Sequence, residues 1–315
     1  MIAADSAPAD RSPETGTAAD AALEAPTLVM SRSSVLGHLR LVVRYHELLV
    51  ALVRKELKVR YKGSTLGFLW SLLNPLLYLA VFYYVFEVVL EAGIPNFAVF
   101  LLSGLLAWNL FSSSLLTGTG AIVDNGALVK KVYFPREILP LANVGASLIH
   151  FFLQLIVMAF ALVITRWSVD PAYVWLVLPA LIVLLLLASA FAIFLAAANV
   201  YARDTRHLVD VLMLAWFWLT PIAYAYSLLA SRLGDRSWVM LLNPVTSVTL
   251  AMQRGIYGRT YGNPGPDGVP QALIPDENQL WYLRNLGIVG AGALILLVLA
   301  VMVFDRAEGN FAEEI

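Results

Sequence analysis

Six long apolar runs constrain this chain more than any other feature of its sequence. They cover residues 66–90, 98–120, 138–164, 174–200, 208–229 and 283–304, and their few charged residues lie near the ends. A helix needs roughly 20 apolar residues to cross a hydrocarbon core about 30 Å thick. Charged residues make up only 14% of the chain, against roughly a quarter in soluble domains. The sequence therefore predicts an all-α integral membrane protein with six transmembrane helices.

Basic residues indicate how these spans are oriented. With the N-terminus in the cytoplasm, fifteen of the 21 Lys and Arg residues fall on the cytoplasmic side and six fall outside. The positive-inside rule then places both termini in the cytoplasm. The chain would thus be a multi-pass protein with an even number of spans.

One apolar stretch, residues 238–252, is too short for a clear span and is divided by Asn243-Pro244. Proline interrupts a helix, and halves of this size fit re-entrant helices. We therefore predict short re-entrant helices on the outer side over residues 237–257, and a seventh full span, which would move the C-terminus outside, is the alternative. Residues 258–270, with four Gly and three Pro, predict a loop.

Two segments precede the first span. Residues 1–31 are acidic, rich in Ala and without an apolar run, which predicts a disordered cytoplasmic tail rather than a signal peptide. Residues 32–62 carry a polar stripe that includes Arg40, Arg44, Arg54 and Lys58 at helical spacing, with an apolar stripe on another face. This pattern predicts an amphipathic helix at the cytoplasmic membrane interface. A helix packed on a soluble partner is the alternative.

Motifs for catalysis are absent from the sequence. The chain has no GxxxxGK[ST] phosphate loop, so it has no ATPase site of that kind, and it has neither HExxH nor GxSxG. It has no cysteine, and its net charge of −1 argues against nucleic-acid binding. A membrane-embedded transferase would need carboxylates, and the nearest candidates are Asp124, Asp204 and Asp210 in separate loops. The sequence thus favours transport over enzyme activity and predicts no metal site.

Two cytoplasmic loops carry recognisable patterns. Residues 124–140 combine apolar, basic and turn-forming side chains, which are Leu128, Val129, Lys130, Lys131, Tyr133, Phe134, Pro135 and Arg136. A short helix with these residues would dock a soluble partner, or it would lie on the lipid surface. The next cytoplasmic loop, 201–207, contains Arg203 and Asp204, which we interpret as an ion pair at the interface.

Polar and aromatic side chains within the spans leave several interpretations open. His150, Asn143 and Gln154 share one helix face, where they would form either a polar relay or hydrogen bonds between helices. Aromatic rings on three spans would line a path for sugars or form interfacial belts; they are Tyr78, Tyr83, Trp108, Trp216, Trp218 and Tyr224. Small residues at 188, 192 and 196 predict close helix packing.

Five motifs follow one another along the chain: RYKGSTLGFLWSLLNPLL (60–77), VKKVYFPREILP (129–140), ARDTRHL (202–208), FWLTPIAY (217–224) and LLNPVTSV (241–248). In this order and at these topological positions they resemble ABC-2-type permeases of bacterial polysaccharide exporters. Those permeases move O-antigen, teichoic acid, capsule or related glycans. The resemblance extends from about residue 40 to the C-terminal residues.

The resemblance implies a homodimer in the bacterial cytoplasmic membrane, paired with two ATP-binding cassette subunits that hold ATP and Mg. It implies no cofactor in this chain and a lipid-linked glycan as cargo, with a small lipophilic or drug-like cargo as the alternative. Residues 124–137 would form the coupling helix, residues 237–257 the gate, and residues 63–310 the six-span domain. The interface helix would lie near the substrate entrance, where four basic residues would attract a pyrophosphate headgroup: Arg54, Lys55, Arg60 and Lys62.

Overall fold

The computed structural model describes residues 44–60, 62, 69–91, 93–264 and 270–314, and the predicted tail at 1–31 lies outside them. The helices, in chain order, are α1 (His46–Arg60), α2 (Leu69–Tyr83), α3 (Phe97–Asp124), α4 (Gly126–Lys131), α5 (Ile138–Thr165), α6 (Val177–Tyr201), α7 (Thr205–Leu219), α8 (Tyr226–Leu233), α9 (Pro244–Ile256), α10 (Gln279–Glu308) and α11 (Phe311–Glu314). A π-helix over Tyr84–Val89 continues α2, and 3₁₀ turns over Val174–Leu176 and Gly234–Leu242 precede α6 and α9.

Four of the described helices are long and apolar enough to cross a membrane, judged by length and composition. They are α3, α5, α10 and the helix over residues 174–201 that contains α6. They coincide with four of the six predicted apolar runs. The first predicted run contains α2 and its π-helical continuation, and the count of six spans stays a prediction.

The fifth predicted run, 208–229, is not one continuous helix. Helix α7 ends at Leu219, and Thr220 takes an extended backbone with φ −105° and ψ 130°. The next residue is Pro221, whose ring disfavours a helical conformation in the residue before it. The 15 residues of α7 rise about 22 Å, less than a full bilayer core. The chain therefore changes direction here before α8 begins.

Helix α3 forms the centre of the fold. It packs against α5 and α6, and α6 packs in turn along α10. Polar residues on α3 donate to carbonyl oxygens one turn earlier, as Ser114 does to Leu110 at 2.7 Å, which satisfies their hydroxyls in an apolar setting. At Gly118, an added Cβ would lie 2.8 Å from the Cβ of Ala192. Close packing through the small-residue stripe is thus confirmed; Ala188, Ala192 and Ala196 are all fully buried.

Helix α9 is buried on every side. It begins at Pro244, and the side-chain oxygen of Asn243 accepts a hydrogen bond from the backbone N–H of Val245 at 3.1 Å. Every residue from Val245 to Ile256 is buried. The break predicted at Asn243-Pro244 is present, and the disposition of this segment in the membrane stays a prediction.

A small β-ribbon lies in the region predicted as a loop. Strands β1 (Tyr261–Pro264) and β2 (Pro270–Ala272) pair antiparallel, with Tyr261 opposite Ala272. Strand β1 also approaches the connection between α2 and α3, since Asn263 donates its backbone N–H to the carbonyl of Gly93 at 2.8 Å. A Cβ at Gly262 would lie 2.6 Å from that carbonyl oxygen, so only glycine fits. The fold is therefore mostly helical rather than all-α.

Helix α1 contacts α5 through its apolar stripe. Leu52 is 5% exposed, and a Cβ at Gly145 of α5 would lie 2.8 Å from a methyl group of Val53. The predicted polar stripe faces away, and its described members Arg44, Glu47, Ala51, Arg54 and Lys58 are all exposed. The residues before 44, which were part of the predicted interface helix, lie outside the described residues.

Candidate functional site

A cavity of about 920 Å³ lies between α2, α3, α5 and α7. One wall is polar and carries hydroxyl, amide and imidazole groups from α3 and α5. These groups belong to Asn109, Ser112, Ser113, Thr117, Ser147, His150 and Gln154. Some of these groups bond to their own helix, as Ser112 does to the carbonyl of Trp108 and Thr117 to that of Ser113. Their convergence gives the cavity one wall that is rich in hydrogen-bonding atoms.

Hydrogen bonds between α3 and α5 hold this wall in place. The side-chain amide of Asn109 donates to Oε1 of Gln154 at 3.1 Å, and the hydroxyl of Ser147 donates to that of Ser113 at 3.1 Å. Of the three polar residues on the predicted face, Gln154 forms a hydrogen bond between helices. Asn143 instead donates to the carbonyl of Leu139 in its own helix at 3.2 Å. His150 lines the cavity with Gln154.

Aromatic rings form a second part of the lining. The lining includes Tyr78 and Phe82 of α2, Trp108 of α3, and Phe217 and Trp218 of α7. The rings contact one another: the centroids of Phe82 and Phe217 lie 5.9 Å apart, and those of Trp108 and Phe217 lie 5.5 Å apart. The cavity therefore joins a hydrogen-bonding wall to a wall of flat apolar surfaces.

Three of the six predicted channel aromatics, Tyr78, Trp108 and Trp218, line this cavity. Two others serve the fold, since Trp216 donates its indole N–H to Asn243 at 2.8 Å and Tyr224 donates its hydroxyl to the carbonyl of Trp218 at 2.8 Å. Tyr83 is outside the lining and is 46% exposed. Belonging to the same helix does not give two rings the same surroundings.

The polar wall of α3 was not predicted as a site from the sequence. Its signal was present, because positions 109, 112, 113 and 117 recur at helical spacing on one face. The same holds for positions 147, 150 and 154 of α5. Of this set, only His150 and Gln154 were predicted as candidate polar residues, and Asn109 and the hydroxyl groups were not.

The four basic residues predicted at the substrate entrance have different surroundings. Arg60, at the end of α1, lines the cavity. Lys55 donates hydrogen bonds to the side chains of Asn125 and Glu56. Arg54 and Lys62 are exposed. The cavity therefore has one arginine at its edge, and Lys55 contacts the junction between α3 and α4.

The predicted docking segment separates into exposed and buried residues. Helix α4 lies in its first half, and the side chains of Lys130, Lys131, Val132 and Tyr133 are exposed, Tyr133 by 75%. Val129, Phe134 and Pro135 are buried and Leu128 is partly buried. The exposed group offers a large aromatic ring, which suits contact with a protein surface, and it places two cations beside that ring.

Ion pairs join this segment to other parts of the chain. Arg136 lies 3.6 Å from the carboxylate of Glu308 at the end of α10. At the other end of the segment, Arg206 lies 3.4 Å from Asp124. The ion pair of this loop is thus Arg206 with Asp124 and not the predicted pair of Arg203 with Asp204. Helix α7 begins at Thr205, which brings Arg206 toward α3. Arg203 and Asp204 are exposed.

The carboxylates considered for a transferase do not form a shared site. Asp124 is paired with Arg206, and Asp204 and Asp210 are exposed. Across the described ranges, no three His, Asp or Glu side chains are grouped in a way that would hold a metal ion. The three carboxylates therefore lie in separate surroundings.

Comparison with known proteins identifies the family. The sequence profile of the ABC-2 type transporter family matches residues 47–257. The O-antigen export system permease protein RfbA of Myxococcus xanthus is 34% identical over 278 residues, which is 88% of this chain and 98% of the relative. RfbA of Klebsiella pneumoniae is 34% identical over 85% of this chain and 94% of the relative. The polysialic acid transport protein KpsM of Escherichia coli is 35% identical over 80 residues, 25% of this chain and 31% of the relative.

The family match and the full-length relatives agree with the apolar helices, the ordered motifs and the lack of a phosphate loop. Four helices suited to a bilayer, in a family of transport subunits, make this a multi-pass membrane protein. This chain belongs to the ABC-2 type transporter family.

Proposed function

We propose that this chain is the permease subunit of an exporter that moves a lipid-linked polysaccharide across the bacterial cytoplasmic membrane. Separate ATP-binding cassette subunits, with their ATP and Mg, supply the energy. Two full-length relatives are named as O-antigen export permeases, which supports a glycan as cargo. Two copies of the chain and two ATPase subunits would form the complete transporter.

The cavity is the single observation that carries this proposal. A sugar presents hydroxyl groups around its edge and C–H groups on its faces. The polar wall, with Asn109, Ser113 and Gln154, matches the hydroxyls, and rings such as Trp108 and Trp218 offer surfaces for stacking. A purely lipophilic cargo would use the rings, but it would place apolar surface against the polar wall and would form no hydrogen bonds with it.

Electrostatics support a cytoplasmic entrance for an anionic headgroup. Arg60 lines the cavity, while Arg54 and Lys62 are exposed nearby in sequence. These cations would attract a pyrophosphate at the inner leaflet, since basic groups near the membrane surface bind anionic headgroups. Lys55 would act less directly, because it contacts Asn125 and Glu56.

Docking of the ATPase is proposed for the exposed surface of the 124–137 segment. This surface, formed by Lys130, Lys131, Val132 and Tyr133, combines apolar area with positive charge. Tyrosine anchors in such surfaces often dominate binding energy. The re-entrant gate at 237–257 and the six-span topology with both termini inside belong to the same proposal.

The test is a pull-down of the tagged chain from its native membrane, combined with an export assay in cells. We expect an ATPase with a phosphate loop to co-purify in equal amount with the chain. Tyr133→Ala combined with Lys131→Glu should release the ATPase and stop export. Tyr261→Ala, which removes an exposed tyrosine from β1, is the matched control and should leave both unchanged.

Two outcomes would contradict the proposal. If the unaltered chain purifies without any ATPase and still acts on a lipid-linked sugar, the chain is a membrane enzyme. If the complex forms but exports small lipophiles and no glycan, the proposed glycan cargo is wrong. Gln154→Leu separates the two kinds of cargo, since loss of a polar wall group should impair glycan export and leave lipophile export intact.

A further inference from the structure

The end of the docking segment contacts the C-terminal end of α10. Arg136 donates from its guanidinium to the backbone carbonyl of Glu308 at 2.7 Å, and its Nε lies 3.6 Å from Oε1 of the same residue. The guanidinium carbon also lies 6.0 Å from the ring centroid of Phe311. One side chain thus makes three contacts with the segment that follows the last predicted span.

This contact is sheltered from water. The side chains of Arg136 and Glu308 are 18% and 25% exposed, and Phe134 just before Arg136 is 5% exposed. The pair Arg206–Asp124 at the start of the segment is 51% and 54% exposed. Because exposed ion pairs contribute little and sheltered charge-assisted hydrogen bonds contribute more, the end of the segment is the firmer attachment.

The C-terminal residues are themselves fixed to the bundle. Phe311 is fully buried, and its ring centroid lies 5.2 Å from that of Phe304 on α10 and 6.1 Å from that of Tyr201 at the end of α6. Tyr201 donates its hydroxyl to the carbonyl of Ala307 at 2.8 Å. Arg136 therefore contacts a packed unit formed by the ends of α6 and α10 and by α11.

We propose that this contact, which we call the C-terminal clasp (Arg136, Glu308 and Phe311), transmits movement of the docking segment to α10. Arg136 is then a positioning residue inside the permease and not a contact to the ATPase. The proposal rests on the proposed function, because it assumes an ATPase bound to the exposed surface at residues 130–133. A rigid helix of 30 residues carries a displacement at its cytoplasmic end along its whole length.

The first experiment uses the full transporter and the substitution Arg136→Gln. We expect the ATPase to co-purify at the level of the unaltered chain, while export per bound ATPase falls by roughly tenfold, within the range typical of a coupling free energy between two sites. Phe311→Ala should act in the same direction. The control is Arg306→Gln. Arg306 is an exposed arginine near Glu308 at the end of α10, so this substitution removes an equal charge and should leave export unchanged.

A rescue experiment guards against a variant that merely folds poorly. The natural chain has no cysteine, so Arg136→Cys with Glu308→Cys introduces the only two thiols of the permease. In inverted membrane vesicles that contain the endogenous lipid-linked glycan, a bis-methanethiosulfonate cross-linker forms a disulfide with each of the two thiols and releases methanesulfinate. This cross-link should restore the ATP-dependent export that the double variant lacks. Reduction of the linker should remove it again, in the same preparation and at constant protein content.

The outcomes separate the two proposals. Loss of the ATPase from Arg136→Gln would make Arg136 a docking residue, and export equal to that of the unaltered chain would remove any coupling role; either result overturns the clasp and leaves the permease function intact. Cross-linking that fails to restore export would also overturn it. Absence of an ATPase from the unaltered chain would overturn both proposals together.

Discussion

Helices α3 and α10 have similar length and apolar character, yet they occupy opposite environments. Helix α3 is buried along most of its 28 residues, whereas α10 leaves residues such as Ile288, Ile295 and Leu299 more than half exposed. The difference appears in their polar side chains: α3 carries Ser, Thr and Asn groups that line a cavity or bond to its own backbone. Hydropathy thus identifies both helices as candidate spans. In this pair, the polar residues of the helix distinguish the span that is buried in the bundle from the one that is exposed.

The largest expected effect comes from adding volume to the two helices. Gly118→Val on α3 places methyl groups where a single added carbon already lies 2.8 Å from Ala192, so overpacking should lower the free energy of unfolding by about 2–3 kcal/mol. Gly292→Val on α10 meets nothing within 4 Å and should leave stability unchanged. Thermal unfolding of both variants in detergent measures the difference. A destabilising effect at Gly292 would instead indicate that a partner covers this face of α10.

A smaller contrast is expected between two asparagine caps. Asn243 caps the buried helix α9 and also accepts the indole N–H of Trp216 at 2.8 Å, whereas Asn278 caps α10 through the N–H of Trp281 at 2.9 Å. Asn278→Ala should cost about 1 kcal/mol, as a lost cap does. Asn243→Ala should cost about 2 kcal/mol, because it also leaves the indole N–H without its acceptor. Equal midpoints of thermal unfolding would show that the Trp216 contact contributes nothing.

The smallest expected change in stability comes from the hydrogen bond between Asn109 of α3 and Gln154 of α5. In a double-mutant cycle, Asn109→Leu and Gln154→Leu should show a coupling of about 0.6 kcal/mol in stability, the average for such bonds within membranes. Export should fall in both single variants nonetheless, since each removes a polar group from the cavity. Ile156→Leu, on the exposed face of α5, is the control for both measurements. Unchanged export in the single variants would remove the polar wall from the transport path.

Local patterns gave much of the fold. Apolar runs predicted four helices that the structure contains, and Asn243-Pro244 predicted the start of α9, because both signals act within a few neighbouring residues. The same approach missed the end of α7 at Leu219, where the uninterrupted apolar character of residues 211–219 outweighed the signal of Pro221. It also missed the β-ribbon, because a stretch rich in Gly and Pro carries no strand pattern, and the contact of Asn263 with Gly93 joins residues far apart in the sequence.

The sequence predicted the kinds of side chain in the site but not which of them line the cavity. Aromatic residues suited to sugars were identified, but three of six line the cavity, because the rest fill contacts specific to this packing. The docking segment was identified as a whole, and burial then divided it into an exposed surface around Tyr133 and an anchored end around Phe134. A pattern gives the composition of a segment without the direction of each side chain.

The sequence by itself determined the class of protein, the position of its long apolar helices, its relation to ABC-2 permeases and its lack of a phosphate loop, since each depends on composition or on short ordered motifs. The tertiary structure alone decided which residues meet. Asn109 and Gln154 are 45 positions apart, and Arg136 and Glu308 are 172 apart. Such pairs form because helices pack at particular angles and depths, and those depend on the volumes and shapes of many side chains together.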